Sequence, residues 1–192
     1  PWGGIEMLLS TNPIAVAVPA REEMPIVLDM ATTTAAYGKV KTAAQRGEQM
    51  PEGWMIDFEG KPLTDPKRSE EGMLLPLGGM EAGFKGYGLS LVIGLLAGTL
   101  NQAAMGREVI DFNKDDRSVT NTGHAIVAID PAAFGDPDRF KDEVDRLIRD
   151  IRASKRLPGA ARIWLPGVQS QTRRIERMKE GIPMPPSLLE SL

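Results

Sequence analysis

Gly83-Phe84-Lys85-Gly86-Tyr87-Gly88 sets three glycines around one lysine, directly ahead of the apolar run Leu89 to Leu100. Glycine lets the backbone approach a ligand closely or turn with positive φ. Lysine brings a compact charge suited to a phosphate or a carboxylate. A helix starting just behind it would add free N–H groups and a positive dipole end. Together these make an anion-binding corner. The same residues also suit a glycine-rich loop that only turns the chain into a buried helix, because short glycine motifs carry little weight alone. Asp29 is the second candidate. It closes the apolar stretch Pro25 to Met30, ahead of Thr32-Thr33-Thr34. There it could orient a ribose or a catalytic group, or equally serve as a helix cap or a salt-bridged strand end.

Other chemistries lack their residues. His124 is the sole histidine and the chain has no cysteine. Thiolate chemistry and disulfides are therefore excluded. A hydrolytic triad has neither a Gly-x-Ser-x-Gly elbow nor a second histidine. His124 lies in an apolar, strand-like stretch and reads as structural. No spacing suggests a metal site, and both the Walker A pattern and the classical dinucleotide fingerprint are missing. A net charge of -3 over 192 residues argues against a nucleic-acid partner. No stretch has the form of a secretory signal. Leu89 to Ala104 is too short, and too broken by Gly94, Gly98, Asn101 and Gln102, for a spanning helix. A soluble, cytoplasmic protein without a membrane partner is expected.

The positioning elements follow from pattern. Ile14 to Val18 and Pro25 to Met30 read as strands, the second apolar on consecutive positions and so expected to be buried on both faces. Arg21-Glu22-Glu23 between them reads as a solvated turn. Thr32-Thr33-Thr34 can cap a helix from about Thr34 to Arg46, stopped by Gly47. Gln49 to Gly79 is rich in Pro and Gly, and is expected to be an ordered excursion anchored by Trp54, Met55, Ile56 and Phe58. Leu89 to Ala104 reads as a buried helix, with Gly94 and Gly98 on one closely packed face. Gly123 to Asp130 and Arg162 to Leu165 read as further strands. Asp136-Pro137 opens a helix whose Phe140, Val144, Leu147, Ile148 and Ile151 form one apolar stripe. The basic residues Arg149, Arg152, Lys155 and Arg156 read as its solvated end. A polar helix spans about Gln171 to Lys179, closed by Gly181 and Pro183. The interleaving gives an α/β class, with α+β as the variant.

Several segments together resemble the malate/L-lactate dehydrogenase family of the non-Rossmann type. They are Ser10 to Pro19, Ile26 to Thr33, Pro51-Glu52-Gly53-Trp54, Leu74 to Gly79, Lys85-Gly86-Tyr87-Gly88-Leu89 and Leu165-Pro166-Gly167. They stand in family order and span nearly the whole chain. The resemblance implies a family-specific fold with a mixed or mostly antiparallel sheet flanked by helices. It also implies a homodimer and an NAD- or NADP-dependent oxidoreductase that transfers a hydride to or from small 2-hydroxy or 2-oxo acids. By similarity, Asp29, Met30 and Ala31 would line the cofactor, Lys85 would meet its charged part, and Pro166 and Gly167 would form a cofactor-side turn. Thr11 and Asn12 would sit near the nicotinamide and the substrate.

The chain departs from the family in three places. Family members are longer, and the expected catalytic histidine and substrate-binding arginine would lie upstream of Pro1. Gly83-Phe84 expands the lysine loop slightly. Val168 and Gln169 stand where an acidic residue is usual. The expected organisation is a cofactor-binding region over 1–130 and a helical C-terminal segment over 131–192. The alternatives are a cyclic imino acid reductase of the same family and a truncated, non-catalytic binding protein.

Overall fold

The computed structural model describes residues 1–112 and 114–184. The chain divides into two compact units. Unit 1 comprises Pro1–Ile14 and Met30–Ala128, and unit 2 comprises Ala15–Asp29 and Ile129–Leu192. The break at 128/129 lies beside the expected division at 130/131, and Ala15–Asp29 falls with the C-terminal part. Residues 185–192 of the expected helical segment lie outside the described residues.

The class is mixed α/β with small sheets, as expected. In unit 1, β3 (Met55–Asp57) stands between β4 (Pro62–Leu63) and β5 (Gly72–Leu74), antiparallel to both. Met55 faces Leu63 on one side and Leu74 on the other. This sheet packs against α1 (Tyr37–Arg46): Val40, Ala43, Met50, Met55 and Leu63 form a core flanked by Tyr37, Trp54 and Leu74. Trp54, Met55 and Ile56 therefore anchor the Pro- and Gly-rich excursion, whereas Phe58 is exposed. Gly47 ends α1 in the left-handed region (φ 65°), where an L side chain would be strained.

The start of α1 corrects the sequence reading. The helix begins at Tyr37, and its cap residue Ala36 makes no side-chain bond. The threonines are engaged elsewhere. Thr32 is buried and donates its hydroxyl to the Thr11 carbonyl, while the Thr34 hydroxyl reaches the carbonyls of Trp54 and Leu75.

α2 (Gly79–Ala97) is the larger correction. Its regular geometry is interrupted at Ala82, and the glycines around Lys85 lie within the helix, not in a loop before it. It buries Gly83, Gly86, Ser90 and Gly94, leaving Phe84, Val92, Leu95 and Leu96 exposed. The expected buried helix is thus turned inside out relative to its apolar content. Together with the turn that follows it, Gly79–Asn101 is long and apolar enough by length and composition to cross a membrane, unlike the shorter run taken from the sequence.

In unit 2, β1 (Ile14–Val18) pairs with β2 (Ile26–Met30), with the terminal Ile14 and Met30 counted to unit 1. β2 alternates half-buried and exposed residues, so the expected burial on both faces is not found. α3 (Pro137–Ala153) opens as expected, with the Asp136 carboxylate accepting from the Asp138 N–H. Its Val144 and Ile148 pack with Leu165 against Val18, Ala20, Ile26, Ile151 and Val168. α4 spans Val168–Glu180. Arg162 to Leu165 and Gly123 to Asp130 form no strand. Arg162 to Leu165 is held to β2 through a single backbone bond next door, from Val27 N–H to the Pro166 carbonyl.

The expected solvated turn at Arg21-Glu22-Glu23 is instead a clamp. The buried Asp145 carboxylate accepts from all three of its backbone N–H groups, at 2.9–3.2 Å. Arg149 pairs with Glu22 and Glu23, and Arg152 with Glu23. Burial pushes the Asp145 carboxyl up, but those N–H groups and the Arg149 guanidinium outweigh it and hold the group below its ordinary range. The basic end of α3 is therefore tied to the β1–β2 turn.

Candidate functional site

The candidate residues of unit 1 are joined by a relay of backbone bonds. The Thr11 carbonyl accepts from both the N–H (2.9 Å) and the hydroxyl (2.8 Å) of Thr32. The Thr32 carbonyl accepts from Leu77 N–H (2.9 Å), and the Leu77 carbonyl accepts from Gly86 N–H (3.1 Å). Thr11, the Met30-Ala31-Thr32 segment and the Lys85-Gly86 turn of α2 are thereby held in one place. Gly86 is needed at the last step, because a Cβ there would stand 2.3 Å from Leu77 N and 2.5 Å from its oxygen.

Asn12 is fixed from the other side. Its φ of 27° is in the left-handed region, which asparagine tolerates better than most residues. Its Nδ2 donates to the Ser90 carbonyl (2.9 Å) and to the Ser90 hydroxyl (3.3 Å). The Ser90 hydroxyl in turn donates to the Ser10 carbonyl (3.4 Å). Gly94 leaves room for this amide: a Cβ there would lie 2.9 Å from Nδ2. Close packing, the reading favoured by the Gly94–Gly98 spacing, is what the structure shows.

Lys85 corrects the anion-corner reading in its geometry. The helix begins before it, at Gly79, and Gly83 is covered by Trp2, whose ring meets Phe84 edge-on at 6.3 Å. The lysine itself is exposed, with Nζ 5.9 Å from the Phe84 ring centroid and no carboxylate partner among the described residues. It is an exposed cation one residue from the relay.

In unit 2, Asp29 is an exposed, penultimate residue of β2, with no hydrogen-bond or ion-pair partner among the described residues. It neither caps a helix nor closes a salt bridge. Pro166 and Gly167 pack on the same strand. Gly167 has φ 90° and caps α4, and a Cβ there would come within 3.0–3.2 Å of Val27. His124, read as structural, is exposed and not in a strand. The cleft of about 360 Å³ in unit 1 is lined from Lys39 to Trp54, and one of about 450 Å³ in unit 2 lies along α4 from Ser170 to Ile182. Neither includes a candidate residue. Among the described residues no three His, Asp or Glu side chains gather as a metal site requires.

Two positioning residues escaped the sequence reading. Thr32 was placed among helix caps. Ser90, the one serine of α2 and buried in it, carried a usable signal, since a buried hydroxyl needs a partner.

All of residues 1–192 match the family described as malate/L-lactate dehydrogenase. The chain belongs to that family. A malate dehydrogenase of Pyrococcus horikoshii is 37% identical over 196 residues, covering 100% of this chain and 53% of the relative. An L-sulfolactate dehydrogenase of Methanothermobacter thermautotrophicus is 38% identical over 192 residues, covering 100% and 53%. The crystal structure of a dehydrogenase from Sinorhizobium meliloti superposes with a TM-score of 0.83 at 32% identity, covering 100% of this chain and 54% of that one. Two relatives carry their cofactor in their names: a (2R)-3-sulfolactate dehydrogenase (NADP(+)) of Chromohalobacter salexigens, 33% identical over 100% of this chain and 54% of the relative, and a ureidoglycolate dehydrogenase (NAD(+)) of Escherichia coli O157:H7, 35% identical over 95% and 50%. The chain spans about half the length of the curated relatives it matches. The relay joins several of the segments on which the resemblance rests.

Proposed function

We propose that the malate/L-lactate dehydrogenase chain described here serves an NAD(P)-dependent oxidoreductase acting on the CH–OH group of a small 2-hydroxy acid, or in reverse on the 2-oxo acid. The observation that carries this reading is the relay Thr11–Thr32–Leu77–Gly86, which ties the family's Thr11-Asn12, Met30-Ala31 and Lys85 segments into one rigid arrangement. Family membership and the names of the hydroxy acid dehydrogenase relatives support it. The same names favour a hydroxy acid over the cyclic imino acid alternative.

The described residues suit such a cofactor. Bound nicotinamide supplies the hydride donor or acceptor. Lys85, exposed and unpaired, offers a point charge for the anionic part of the dinucleotide. Met30 and Ala31 offer backbone and small side-chain surface beside it. Thr11 and Asn12 are held rigid by Thr32 and Ser90, which suits groups that orient a nicotinamide and a small acid. In unit 2, Asp29, Pro166 and Gly167 are offered as cofactor contacts by the resemblance; the unpaired Asp29 carboxylate has the chemistry to accept a ribose hydroxyl. On the resemblance alone the proposal extends to a cytoplasmic homodimer without nucleic-acid or membrane partners.

Isothermal titration with NADH and then NADPH tests the reading. Saturable binding of either supports it and selects the nucleotide. Absence of binding by both, with the chain shown to be folded by circular dichroism, removes the cofactor assignment for this chain.

A further inference from the structure

Asn12 has a strained backbone that no turn explains. Outside glycine, positive φ occurs among the described residues only at Asn12 (27°) and Gln102 (58°). Gln102 lies in the left-handed well, near 57°, and closes the turn Thr99–Asn101 with its N–H on the Thr99 carbonyl. Asn12 falls short of that well and lies in neither a helix nor a turn. Strain of this kind persists only where the surroundings impose it, and it gathers at functional sites.

Its side chain is what holds it. The Ser90 carbonyl can only accept, so the amide atom 2.9 Å from it is the nitrogen, Nδ2. The Ser90 hydroxyl accepts from the same nitrogen at 3.3 Å and itself donates to the Ser10 carbonyl. Ser90 is buried, and Gly94 supplies the space, since a Cβ there would stand 2.9 Å from Nδ2. With Nδ2 committed to α2, Oδ1 is the atom left over. It makes no hydrogen bond among the described residues. Asn12 is half-buried, and no unpartnered side-chain oxygen among the described residues is buried, so Oδ1 is open to a ligand.

We propose that Asn12 Oδ1 is the acceptor for the carboxamide N–H groups of a bound nicotinamide, and that Ser90 and Gly94 are positioning residues that keep the amide nitrogen engaged and the oxygen free. The inference rests on the cofactor reading above and adds the atom that recognises the carboxamide. A fixed, neutral acceptor discriminates among the groups such a site would hold. It repels a substrate carboxylate, which calls for cations or N–H donors. It cannot take the proton that leaves a substrate hydroxyl, which needs a titratable base. A carboxamide N–H meets neither objection. One fixed bond to it would also set the rotation of the ring, and orientation is what the transfer of a hydride demands.

Equilibrium binding of acetylpyridine analogues tests it, because the acetyl group keeps the carbonyl of the carboxamide and lacks its N–H donors. The whole chain is titrated with NAD, with NADP and with the acetylpyridine analogue of each, and circular dichroism checks the fold of every variant. The unaltered chain should bind the preferred nucleotide about threefold to tenfold more tightly than its analogue, the size of one neutral hydrogen bond. Asn12→Gly, which accepts positive φ without strain, should bring that ratio close to unity by weakening binding of the nucleotide and not of the analogue. Gly94→Ala keeps Asn12 but crowds Nδ2, and should lower the ratio in the same way. Equal binding of nucleotide and analogue by the unaltered chain, or an unchanged ratio in either folded variant, overturns the inference and leaves the cofactor reading standing. Binding of neither nucleotides nor analogues overturns both.

Discussion

α2 and α3 are both long helices, and they dock in opposite ways. α3 buries Val144 and Ile148, with the Asp145 carboxylate between them, and turns most of its other charges outward. α2 buries Gly83, Gly86, Ser90 and Gly94 and turns Phe84, Val92, Leu95 and Leu96 outward. In α3 the energy comes from apolar area removed from water. In α2 it comes from backbone-level approach, with Leu77 against Gly86 and the Asn12 amide against Gly94. Hydrophobicity alone predicts the docking face of a helix only when nothing needs to come closer than a side chain allows.

The sharpest test of this contrast is truncation. Ile148→Ala should cost about 2–5 kcal/mol of stability, the range for a buried large-to-alanine change. Leu95→Ala, on the exposed face of α2, should stay within about 0.5 kcal/mol. Urea denaturation measures both, and equal costs would remove the contrast. The glycines provide the converse pair. Gly86→Ala should destabilise by about 1–3 kcal/mol through overpacking on Leu77. Gly88→Ala, with open space around the added methyl, should stabilise by roughly 0.5–1 kcal/mol. If both substitutions stabilise, the close approach at Gly86 is not a constraint.

The two clusters also differ electrostatically. Lys85 has no carboxylate partner among the described residues, so Lys85→Ala should leave the unfolding midpoint unchanged while raising the Kd for the preferred nucleotide by about tenfold, the size of one charged contact. Unchanged affinity would take Lys85 out of the site.

Asp145 is saturated with donors, and its carboxyl lies below the ordinary value of about 3.9. A depressed folded pKa gives stability that is present above the unfolded value and is lost as pH falls through the folded one. Glu23, pulled down by Arg152 and Arg149 against the upward push of burial, acts in the same direction. The thermal midpoint should therefore drop as pH falls below about 4. Asp145→Asn should lower it at pH 7 and narrow its gap to the wild type as pH falls. A gap independent of pH would mean that the carboxylate charge contributes nothing to the clamp.

Legibility followed how local each cause was. β1, the Gly47 stop and the Asp136-Pro137 opening of α3 rest on residues within a few positions of one another, and all were read correctly. Thr32 and Thr34 have the chemistry of caps, yet their hydroxyls went to carbonyls 20 or more residues away. Of the candidate residues, Thr11, Met30-Ala31 and Lys85 were named from motifs, but the relay that joins them runs through Thr32, read as a helix cap, and Leu77, to which no role was given.

Residue types along the chain therefore determined the α/β class, the Gly47 end of α1, the Asp136-Pro137 start of α3, the family resemblance and the absence of cysteine chemistry, because periodicity, caps and motifs act over a few positions. Tertiary structure alone decided which face of α2 is buried, what the threonines of 32–34 bind, and that Asp145 locks the Arg21-Glu22-Glu23 turn. Those outcomes depend on which distant backbone groups still need a partner and on how closely two segments can approach, and neither is written in the residues of a single segment.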